Sequence, residues 1–333
     1  MASSSVSFRD LTTLKVGGTV AQYERPPTLE EACSAVRSLD AQGERLLILG
    51  GGSNVLAPDE GFSSTVLSVA AHSLVFEARG TSVSAVVDAG VSWDAFVAEA
   101  VSRGLWGVEN LSAIPGSVGA APIQNIGAYG VEVAQTIEWV EVFDRTHRTR
   151  RTLSRDDLAF GYRTSLLKRE NGRYLVLRVS FRLGKEPSPN TSYKDVQAVF
   201  GARTPEVGEL RDAIMAIRAK KFPNLEEFGT AGSFFLNPVI SQSDAEALTA
   251  AHPTLPQFPA DGGVKVSLAW ILDHVVKAKG MRVGGAFVWD AQPLVIATDR
   301  TATAADVRSL AALITEKVFS CTEIAIVPEV TFL

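Results

Sequence analysis

Cysteine and histidine are scarce in this sequence, which has two cysteines and four histidines in 333 residues. Cys33 and Cys321 are too few for a disulfide framework, and we interpret both as buried packing residues. No group of cysteines and histidines has the spacing of a metal-binding motif, so we expect no metal.

Long apolar runs and a strong excess of one charge are also lacking. No apolar run reaches the roughly 18 to 20 residues that a membrane span requires, and the first residues lack the apolar centre of a secretion signal. The formal net charge of −5 argues against a nucleic-acid or membrane-surface partner. The basic cluster at 145–151 lies in a predicted hairpin turn, and we interpret it as solvated surface. A cytoplasmic protein is therefore expected.

The composition and the element signals predict a globular α+β chain of at least two domains. Hydrophobic residues make up 46% of the sequence, and 333 residues exceed what one core usually supports. Thr28 and Glu31 form a capping box that opens a helix, Gly43 can end it, and a strand follows at 46–49. Further strands are predicted at 65–69, 74–79, 83–89, 137–143, 148–153, 174–183, 285–289, 293–298 and 324–332, and further helices at 94–102 with Ser92 as its cap, between Pro205 and Pro223, and at 243–251, 267–278 and 303–319.

Residues 114–130 form a run of seventeen residues without a charged side chain. The run has neither helical nor strand periodicity, and its four glycines leave the main chain open to a ligand. A second glycine-rich segment at 50–54 directly follows a predicted strand, although it is neither a dinucleotide fingerprint nor a P-loop. A tight glycine turn is the alternative for this shorter segment. Together the two segments predict a phosphate-containing cofactor that is bound largely by main-chain N–H groups.

Three polar residues, Ser233, Arg163 and Glu329, stand in apolar or glycine-rich surroundings. Ser233, between Gly232 and Phe234, can be a nucleophile or a proton donor, but its spacing alone favours a local turn or a helix cap. Arg163 can bind a carboxylate through its planar guanidinium, or it can be solvated surface. Glu329 interrupts a predicted apolar strand, either as an acid at a sheet edge or as an inward-facing functional group.

Seven segments, in order along the chain, resemble motifs of the UDP-N-acetylenolpyruvoylglucosamine reductases. They cover nearly the whole chain, so the resemblance is far more specific than any one motif. The segments are 50–54, 109–119, 124–130, 161–163, 232–238, 279–286 and 328–330.

The resemblance implies an FAD-binding fold of the vanillyl-alcohol-oxidase (PCMH) type with a separate α/β substrate-binding domain. The FAD-binding region is expected at 1–200, with subdomains at roughly 1–65 and 66–200, and the first of them is completed by 320–333. The substrate-binding domain is expected at 201–319.

The implied reaction is the NADPH-dependent reduction of an enolpyruvyl ether, which converts UDP-N-acetylglucosamine-enolpyruvate to UDP-N-acetylmuramate for peptidoglycan synthesis. FAD is expected to be non-covalent, because neither glycine-rich segment contains a histidine or a cysteine. The expected partners are the UDP-sugar nucleotide and NADPH, with no nucleic acid, no membrane insertion and a monomeric chain. The alternatives are an FAD-dependent oxidase of another small substrate and a catalytically silent sensor of FAD or sugar nucleotide.

The resemblance also assigns roles to individual residues. Ser233 would donate a proton to the substrate, while Arg163 and Glu329 would stabilise its enolate, the glutamate as a neutral acid beside Val327 and Val330. The implied FAD contacts are Gly50, Gly51, Gly52, Ser53, Asn54, Ile114, Pro115, Gly116, Ser117, Gly119, Ala120, Asn125, Gly127, Ala128, Tyr129 and Gly130. The implied substrate contacts are Tyr193, Lys221, Asn237, Gln292 and Tyr129, with Tyr193 on the mobile loop that one subgroup carries. Leu236, Phe258 and Trp289 depart from residues that are common in the family, and these departures bear on substrate affinity.

Overall fold

The computed structural model describes residues 6–333, which divide into two compact units. One unit, which we call the central unit, comprises Val20–Gly51 and Phe62–Arg218. The other, which we call the terminal unit, comprises the described residues up to Thr19 together with Gly52–Gly61 and Ala219–Leu333. Each unit has its own sheets and its own hydrophobic core.

The central unit begins with a three-stranded parallel sheet. Strand Phe62–Leu67 lies between Val20–Glu24 and Leu46–Ile48 and pairs in parallel with both. Helix Leu29–Ala41 connects the two outer strands, so the predicted strand–helix–strand arrangement is confirmed. Its N-terminus is capped as predicted, because the Thr28 side chain accepts a hydrogen bond from the Glu31 N–H.

A five-stranded antiparallel sheet forms most of the remaining central unit. Helix Trp93–Ser102 packs through Trp93 and Phe96, whose rings contact Phe181 of the central strand. Ser92 is the N-cap residue of this helix, as predicted, although its side chain accepts no capping hydrogen bond among the described residues. The strands, in sheet order, are Thr149–Ser154, Ile137–Asp144, Tyr174–Gly184, Ser82–Asp88 and Leu74–Arg79.

The predicted hairpin carries the basic cluster, whose side chains are largely paired with acids. Asp144 is fully buried and accepts hydrogen bonds from Arg173, Arg151 and His147. Arg145 binds Asp40 on the neighbouring helix. These pairs hold the turn in place and support its interpretation as a structural, solvated hairpin.

The terminal unit contains a four-stranded antiparallel sheet against which helix Ala304–Thr322 packs one apolar face. The helix buries Val307, Leu310, Ile314 and Val318. Its last turn leaves Cys321 exposed, which corrects the prediction of a buried cysteine, whereas Cys33 is buried as predicted. The strands of the sheet are Gly229–Ser233, Val295–Thr298, Ala286–Val288 and Arg282–Val283, and a second sheet consists of Val239–Ile240, Gly263–Val266 and Gln257–Ala260.

Two predicted elements of the terminal unit differ in the structure. The helix predicted at 267–278 is a short turn, Leu268–Trp270, followed by π-helix Ile271–Val275. The strand predicted at 324–332 is regular only at Thr331–Phe332, which pairs in parallel with Val55–Leu56. Pro328 lacks the N–H that a sheet ladder needs, which limits regular pairing before it.

Other elements complete the description. No helix in residues 6–333 is long and apolar enough to cross a membrane, and no cluster of metal-ligating side chains occurs there. The remaining elements are helices Phe8–Leu11, Leu166–Arg169, Lys194–Phe200, Val207–Lys221 and Gln242–Ala251, 3₁₀ turns Glu109–Leu111 and Val133–Gln135, and a small hairpin of Gly127–Ala128 and Val131–Glu132.

Candidate active site

The two glycine-rich segments predicted to bind one cofactor approach each other at Gly50 and Gly51, which belong to the central unit together with 114–130. A Cβ on Gly51 would stand 2.6 Å from Gly116 Cα, and a Cβ on Gly50 would stand 2.9 Å from Ala120 Cβ. Side chains at 50 and 51 would therefore push the two backbones apart. Such close approach is the reason for glycine at these positions.

The backbone amides of the shorter segment fit a phosphate-bearing group. Among the hydrogen bonds of the described residues, none is donated by the N–H of Gly50, Gly51 or Gly52. Gly52 adopts a left-handed conformation with a φ of 61°. Successive unused N–H groups around a left-handed residue form the concave anion site that a diphosphate needs. The segment therefore fits the diphosphate of FAD.

The uncharged loop at 114–130 is anchored by one of its own side chains, Asn125, which binds residues outside the loop. Asn125 is buried, and its Nδ2 donates to Glu132 Oε2 at 2.8 Å and to Gly161 O at 3.1 Å. Its Oδ1 accepts from Ala134 N at 3.1 Å. Both Asn125 and Tyr129 have positive φ angles, of 49° and 48°, which are uncommon for residues other than glycine. Strained positions of this kind concentrate at functional sites.

Arg163 is held on the same loop of the central unit. Its Nη2 donates to Gly127 O at 2.7 Å and its Nη1 to Asn125 O at 3.4 Å. A Cβ on Gly127 would lie 2.8 Å from Nη1, so glycine at this position leaves room for the guanidinium where it lies. Arg163 is half-buried, which does not agree with a solvated surface arginine.

Ser233 lies at a β-bulge at the end of a strand in the terminal unit. Thr230 pairs with Ala297 and Ser233 pairs with Val295, so the serine strand has one residue more than its partner. The extra residue is accommodated by Gly232, whose φ is 77°. Bulges redirect the side chain that follows them.

The hydroxyl of Ser233 makes no hydrogen bond to any of residues 6–333, so the alternative of a turn or cap residue is not supported. A Cβ on the neighbouring Gly232 would meet no atom within 4 Å, which places open space next to the serine. The hydroxyl is therefore available to a ligand.

Glu329 lies on the backbone segment next to Ser233. Its N–H donates to Phe234 O at 2.8 Å, and Asn54 Nδ2 donates to Glu329 O at 3.2 Å. The terminal unit thus brings the segments of Ser233, Glu329 and Asn54 together. Glu329 stands outside the regular strand, and of the two apolar neighbours expected to shield it, Val330 is buried and Val327 is 55% exposed.

Comparison with known proteins identifies the family. A model described as FAD binding domain matches residues 20–152, and a model described as UDP-N-acetylenolpyruvoylglucosamine reductase, C-terminal domain, matches residues 223–333. The UDP-N-acetylenolpyruvoylglucosamine reductase of Neisseria meningitidis serogroup A is 40% identical over 321 residues, which cover 93% of this chain and 92% of that protein. The chain belongs to the UDP-N-acetylenolpyruvoylglucosamine reductase family.

Two further members of this reductase family support the assignment. The enzyme of that name from Thermobifida fusca is 38% identical over 92% of this chain and 91% of its own length. The crystal structure of UDP-N-acetylenolpyruvylglucosamine reductase (MurB) from Thermus caldophilus has a TM-score of 0.71 at 26% identity and covers 99% of this chain and 98% of that chain. The predicted family, the α+β class and the FAD-binding fold are therefore confirmed.

The positions expected to bind the reductase substrate are distributed over both units. In the central unit, the ring of Tyr193 meets the ring of Tyr129 edge-on, with centroids 5.2 Å apart. In the terminal unit, Lys221 lies in the last turn of helix Val207–Lys221. Asn237 Oδ1 accepts from Leu268 N at 3.0 Å, and Gln292 Oε1 accepts from Leu294 N at 3.4 Å. Asn237 therefore also holds the start of turn Leu268–Trp270, and Gln292 holds its own loop.

Arg218 is a half-buried residue that the sequence motifs did not single out. Its Nε donates to Ala113 O at 3.1 Å, and its guanidinium is hydrogen-bonded to the hydroxyl of Tyr129. Burial raises the pKa of Tyr129 to about 12 and lowers the pKa of Arg218, because each charged form would be poorly solvated there. The sequence does contain a signal, since Arg218 follows Ile214 by one helical turn on the apolar face.

Asp94 fixes the turn that precedes the uncharged loop at 114–130. It accepts hydrogen bonds from Ala113 N at 2.6 Å and from Arg211 at 2.7 and 2.9 Å. Burial alone would raise its pKa, but the hydrogen bonds and charge of Arg211, together with the Ala113 N–H, lower the pKa overall. Asp94 is therefore an ionised anchor for the turn that leads into 114–130.

Proposed function

We propose that this protein is a UDP-N-acetylmuramate dehydrogenase, which reduces the enolpyruvyl ether of UDP-N-acetylglucosamine-enolpyruvate to a lactyl ether in peptidoglycan precursor synthesis. Family membership along almost the whole chain carries the proposal. When bound, FAD would supply the hydride-transfer chemistry, with NADPH as the source of the hydride and the terminal enolpyruvyl carbon as its acceptor. The chain's own residues then bind the cofactor, orient the substrate and move a proton.

The glycine-rich segments are proposed to bind FAD without a covalent bond. The unused amides of Gly50, Gly51 and Gly52 would donate to the diphosphate, which needs no cation beside it. The open backbone at 114–130 would lie against the flavin ring. Neither segment contains a histidine or a cysteine that could form a covalent bond to it.

Ser233 is proposed to donate the proton that completes the reduction. Hydride addition to the terminal carbon leaves negative charge on the neighbouring carbon, and the Ser233 Oγ–H bond would break as the new C–H bond forms there. The serine then regains a proton from solvent. The bulge that redirects Ser233 and the absence of a partner for its hydroxyl among the described residues support this role.

Arg163 and Glu329 are proposed to stabilise the enolate while it exists. The guanidinium is charged and planar, so it can pair with the carboxylate into which the negative charge spreads. Its orientation by Gly127 O and Asn125 O precedes substrate binding and therefore costs nothing during the reaction. Glu329 would act as a neutral acid that donates a hydrogen bond.

The substrate contacts are proposed from the family pattern. Lys221, Asn237 and Gln292 would contact the diphosphate and uridine, while Tyr193 and Tyr129 would contact the substrate from the central unit. On the basis of Tyr193, we propose that the protein belongs to the subgroup with the mobile tyrosine loop. Leu236, Phe258 and Trp289 replace residues common in the family; Phe258 is 52% exposed, and Trp289 contacts Phe228 and Phe287.

The domain limits, assembly and compartment are proposed with the function. We propose FAD binding by 1–200, with subdomains at roughly 1–65 and 66–200 and completion of the first by 320–333, and substrate binding by 201–319. The chain is proposed to act as a cytoplasmic monomer. Sedimentation of the FAD-loaded protein over a range of concentrations tests the monomer, and a mass that rises with concentration would reject it.

An anaerobic colour experiment tests the proposed reaction. The purified protein is expected to be yellow, and NADPH without oxygen is expected to bleach it. Colour should return on addition of the enolpyruvyl sugar nucleotide and not on addition of UDP-N-acetylglucosamine. Recovery of colour with a small alcohol's oxidised product would favour the oxidase alternative, and a failure of NADPH to bleach the flavin would favour the silent sensor.

A further inference from the structure

Asn110 is a fully buried side chain that joins two turns of the central unit. Its Nδ2 donates to Tyr129 O and to Asn190 O, each at 2.9 Å. Its Oδ1 has no hydrogen-bond partner in the part of the chain that the structure describes. A buried acceptor without a partner lowers the stability of the fold. The two hydrogen bonds that Nδ2 donates are therefore what holds the Asn110 side chain in this position.

Asn190, on the other turn, binds the backbone beside Tyr129 and a residue of its own segment. Its Nδ2 donates to Gly130 O at 3.1 Å, and its Oδ1 accepts from Ser192 N at 3.2 Å and from Ser192 Oγ at 2.7 Å. The two asparagines therefore bind the carbonyl groups of residues 129, 130 and 190. We call Asn110 and Asn190 together the asparagine clasp.

The segment that follows the clasp is fixed again a few residues later. Helix Lys194–Phe200 buries Val196 and Phe200 in a cluster with Trp106 and Tyr129. Residues 191–193 therefore span a short gap between two fixed points. Tyr193, at the end of this span, is 43% exposed while its ring touches Tyr129.

We propose that Asn110 is a positioning residue, which acts through the clasp to hold 190–193 against the Tyr129 turn and so presents Tyr193 to the sugar nucleotide. The proposal rests on the proposed role of Tyr193 in substrate binding. Because the clasp already fixes the start of the mobile tyrosine loop at residue 190, the loop loses less conformational freedom when the ligand arrives, and this increases affinity. Reduction by NADPH does not use the sugar nucleotide, so that step is independent of the clasp.

The first test is Asn110→Asp in the FAD-loaded enzyme. The aspartate has nearly the same shape but cannot donate to the two carbonyl groups, and it repels them. We expect the KM for the enolpyruvyl sugar nucleotide to rise about tenfold or more, as the loss of two hydrogen bonds predicts. The FAD content and the rate of flavin reduction by NADPH should stay at the wild-type level.

A matched control is Asn224→Asp. Asn224 is exposed in the terminal unit, and its Oδ1 accepts from Glu226 N, a bond that aspartate retains. The substitution therefore adds the same charge away from the clasp. Its KM and its half-reactions should match those of the wild type.

A second variant, Asn190→Ala, avoids a buried charge and keeps the backbone carbonyl that Asn110 binds. We expect a smaller rise in KM and faster tryptic cleavage after the exposed Lys194 in the absence of substrate. The double variant should raise KM by less than the product of the two single effects, because both residues hold one segment.

Three results would overturn the proposal. Tryptic cleavage that is unchanged in both variants would mean that the clasp does not hold the segment. Faster cleavage with an unchanged KM would mean that the held segment does not serve the substrate. Loss of FAD or of NADPH reduction in Asn190→Ala would mean a general structural role. Absence of turnover by the wild type would instead reject the proposed function itself, and the cleavage assay would still report on the clasp.

Discussion

Arg163 carries its guanidinium on a left-handed backbone with a φ of 54°, a conformation that glycine adopts without strain. An arginine at such a position is explained by what its side chain does, since the strain persists only where the surroundings determine it. Here the guanidinium reaches Gly127 O and Asn125 O on the uncharged loop. The backbone and the side chain of this one residue therefore support the same functional assignment.

Two substitutions at Arg163 distinguish the effect of backbone strain on stability from the effect of the guanidinium charge on the reaction rate. Arg163→Gly and Arg163→Ala should both slow the reoxidation of flavin by substrate by about 10² to 10³-fold, because each removes the charge that stabilises the enolate. Arg163→Gly should nevertheless be the more stable variant by about 1 kcal/mol, since glycine tolerates the positive φ. Stopped-flow flavin absorbance and urea unfolding measure the two effects. Loss of FAD from both variants would show instead that Arg163 is structural.

Ser233→Ala should separate the two half-reactions. The variant should be reduced by NADPH at nearly the wild-type rate, while reoxidation by the enolpyruvyl nucleotide should slow by about 10² to 10⁴-fold, as expected for loss of a proton donor. Ser63→Ala, at an exposed strand position, is the control and should behave as the wild type. An equal decrease in both half-reactions would contradict the assignment.

At the scale of elements, the two glycine-rich segments depend on each other for their close packing. Gly51 fits against Gly116 with no room for a Cβ, whereas a Cβ on Gly208 in helix Val207–Lys221 would meet nothing within 4 Å. Alanine is therefore expected to disturb the packing at position 51 and to fit without a clash at position 208. Comparing the two alanine variants tests whether the close packing of the segments is needed for FAD binding.

Gly51→Ala should reduce the FAD content of the purified protein, because the added methyl group displaces the backbone of 116 and the amides beside it. Gly208→Ala is the matched control and should keep full FAD content with a gain in stability of up to about 1 kcal/mol. Flavin absorbance per chain and thermal unfolding measure both. A fully flavinated Gly51→Ala protein would be incompatible with the proposed diphosphate site.

The hairpin of Ile137–Asp144 and Thr149–Ser154 depends on a buried carboxylate. Hydrogen bonds from Arg173 hold the pKa of Asp144 well below its usual range, despite burial, and His147 and Arg151 add to the effect. A carboxyl with a lowered folded-state pKa stabilises the protein above its unfolded pKa of about 3.9, and this contribution is lost as the pH falls towards the folded-state pKa.

Asp144→Asn should therefore lower the free energy of unfolding at neutral pH and make it less sensitive to pH below about 4. Urea unfolding of both proteins across that range measures the difference. Two curves that remain parallel at every pH would argue against a stabilising role for this carboxylate.

Local sequence signals predicted the elements whose causes are local. The Thr28 cap, the Gly43 helix end and the hairpin at 137–154 follow from residues that are close in sequence. The bulge at Ser233, the π-helix at Ile271–Val275 and the asparagine clasp depend on distant partners, so no local pattern reveals them. The positions of Ser233, Arg163 and Glu329 were recognisable from motifs, but their hydrogen-bond partners were not.

At the scale of the whole molecule, the chain forms two units that do not follow its sequence order. The terminal unit takes its last strand, Thr331–Phe332, into parallel pairing with Val55–Leu56, far away in sequence. Of the residues with proposed catalytic roles, Ser233 and Glu329 belong to this unit, whereas Arg163 and the uncharged loop belong to the central unit.

The most direct test of the account is product analysis with the wild-type protein, NADPH and the enolpyruvyl sugar nucleotide under anaerobic conditions. We predict that each NADPH oxidised yields one product molecule that is heavier than the substrate by two hydrogen atoms and carries them in the lactyl ether. Removal of FAD should stop both NADPH oxidation and product formation. NADPH oxidation without a heavier product, or no oxidation at all by the FAD-loaded protein, would contradict the account.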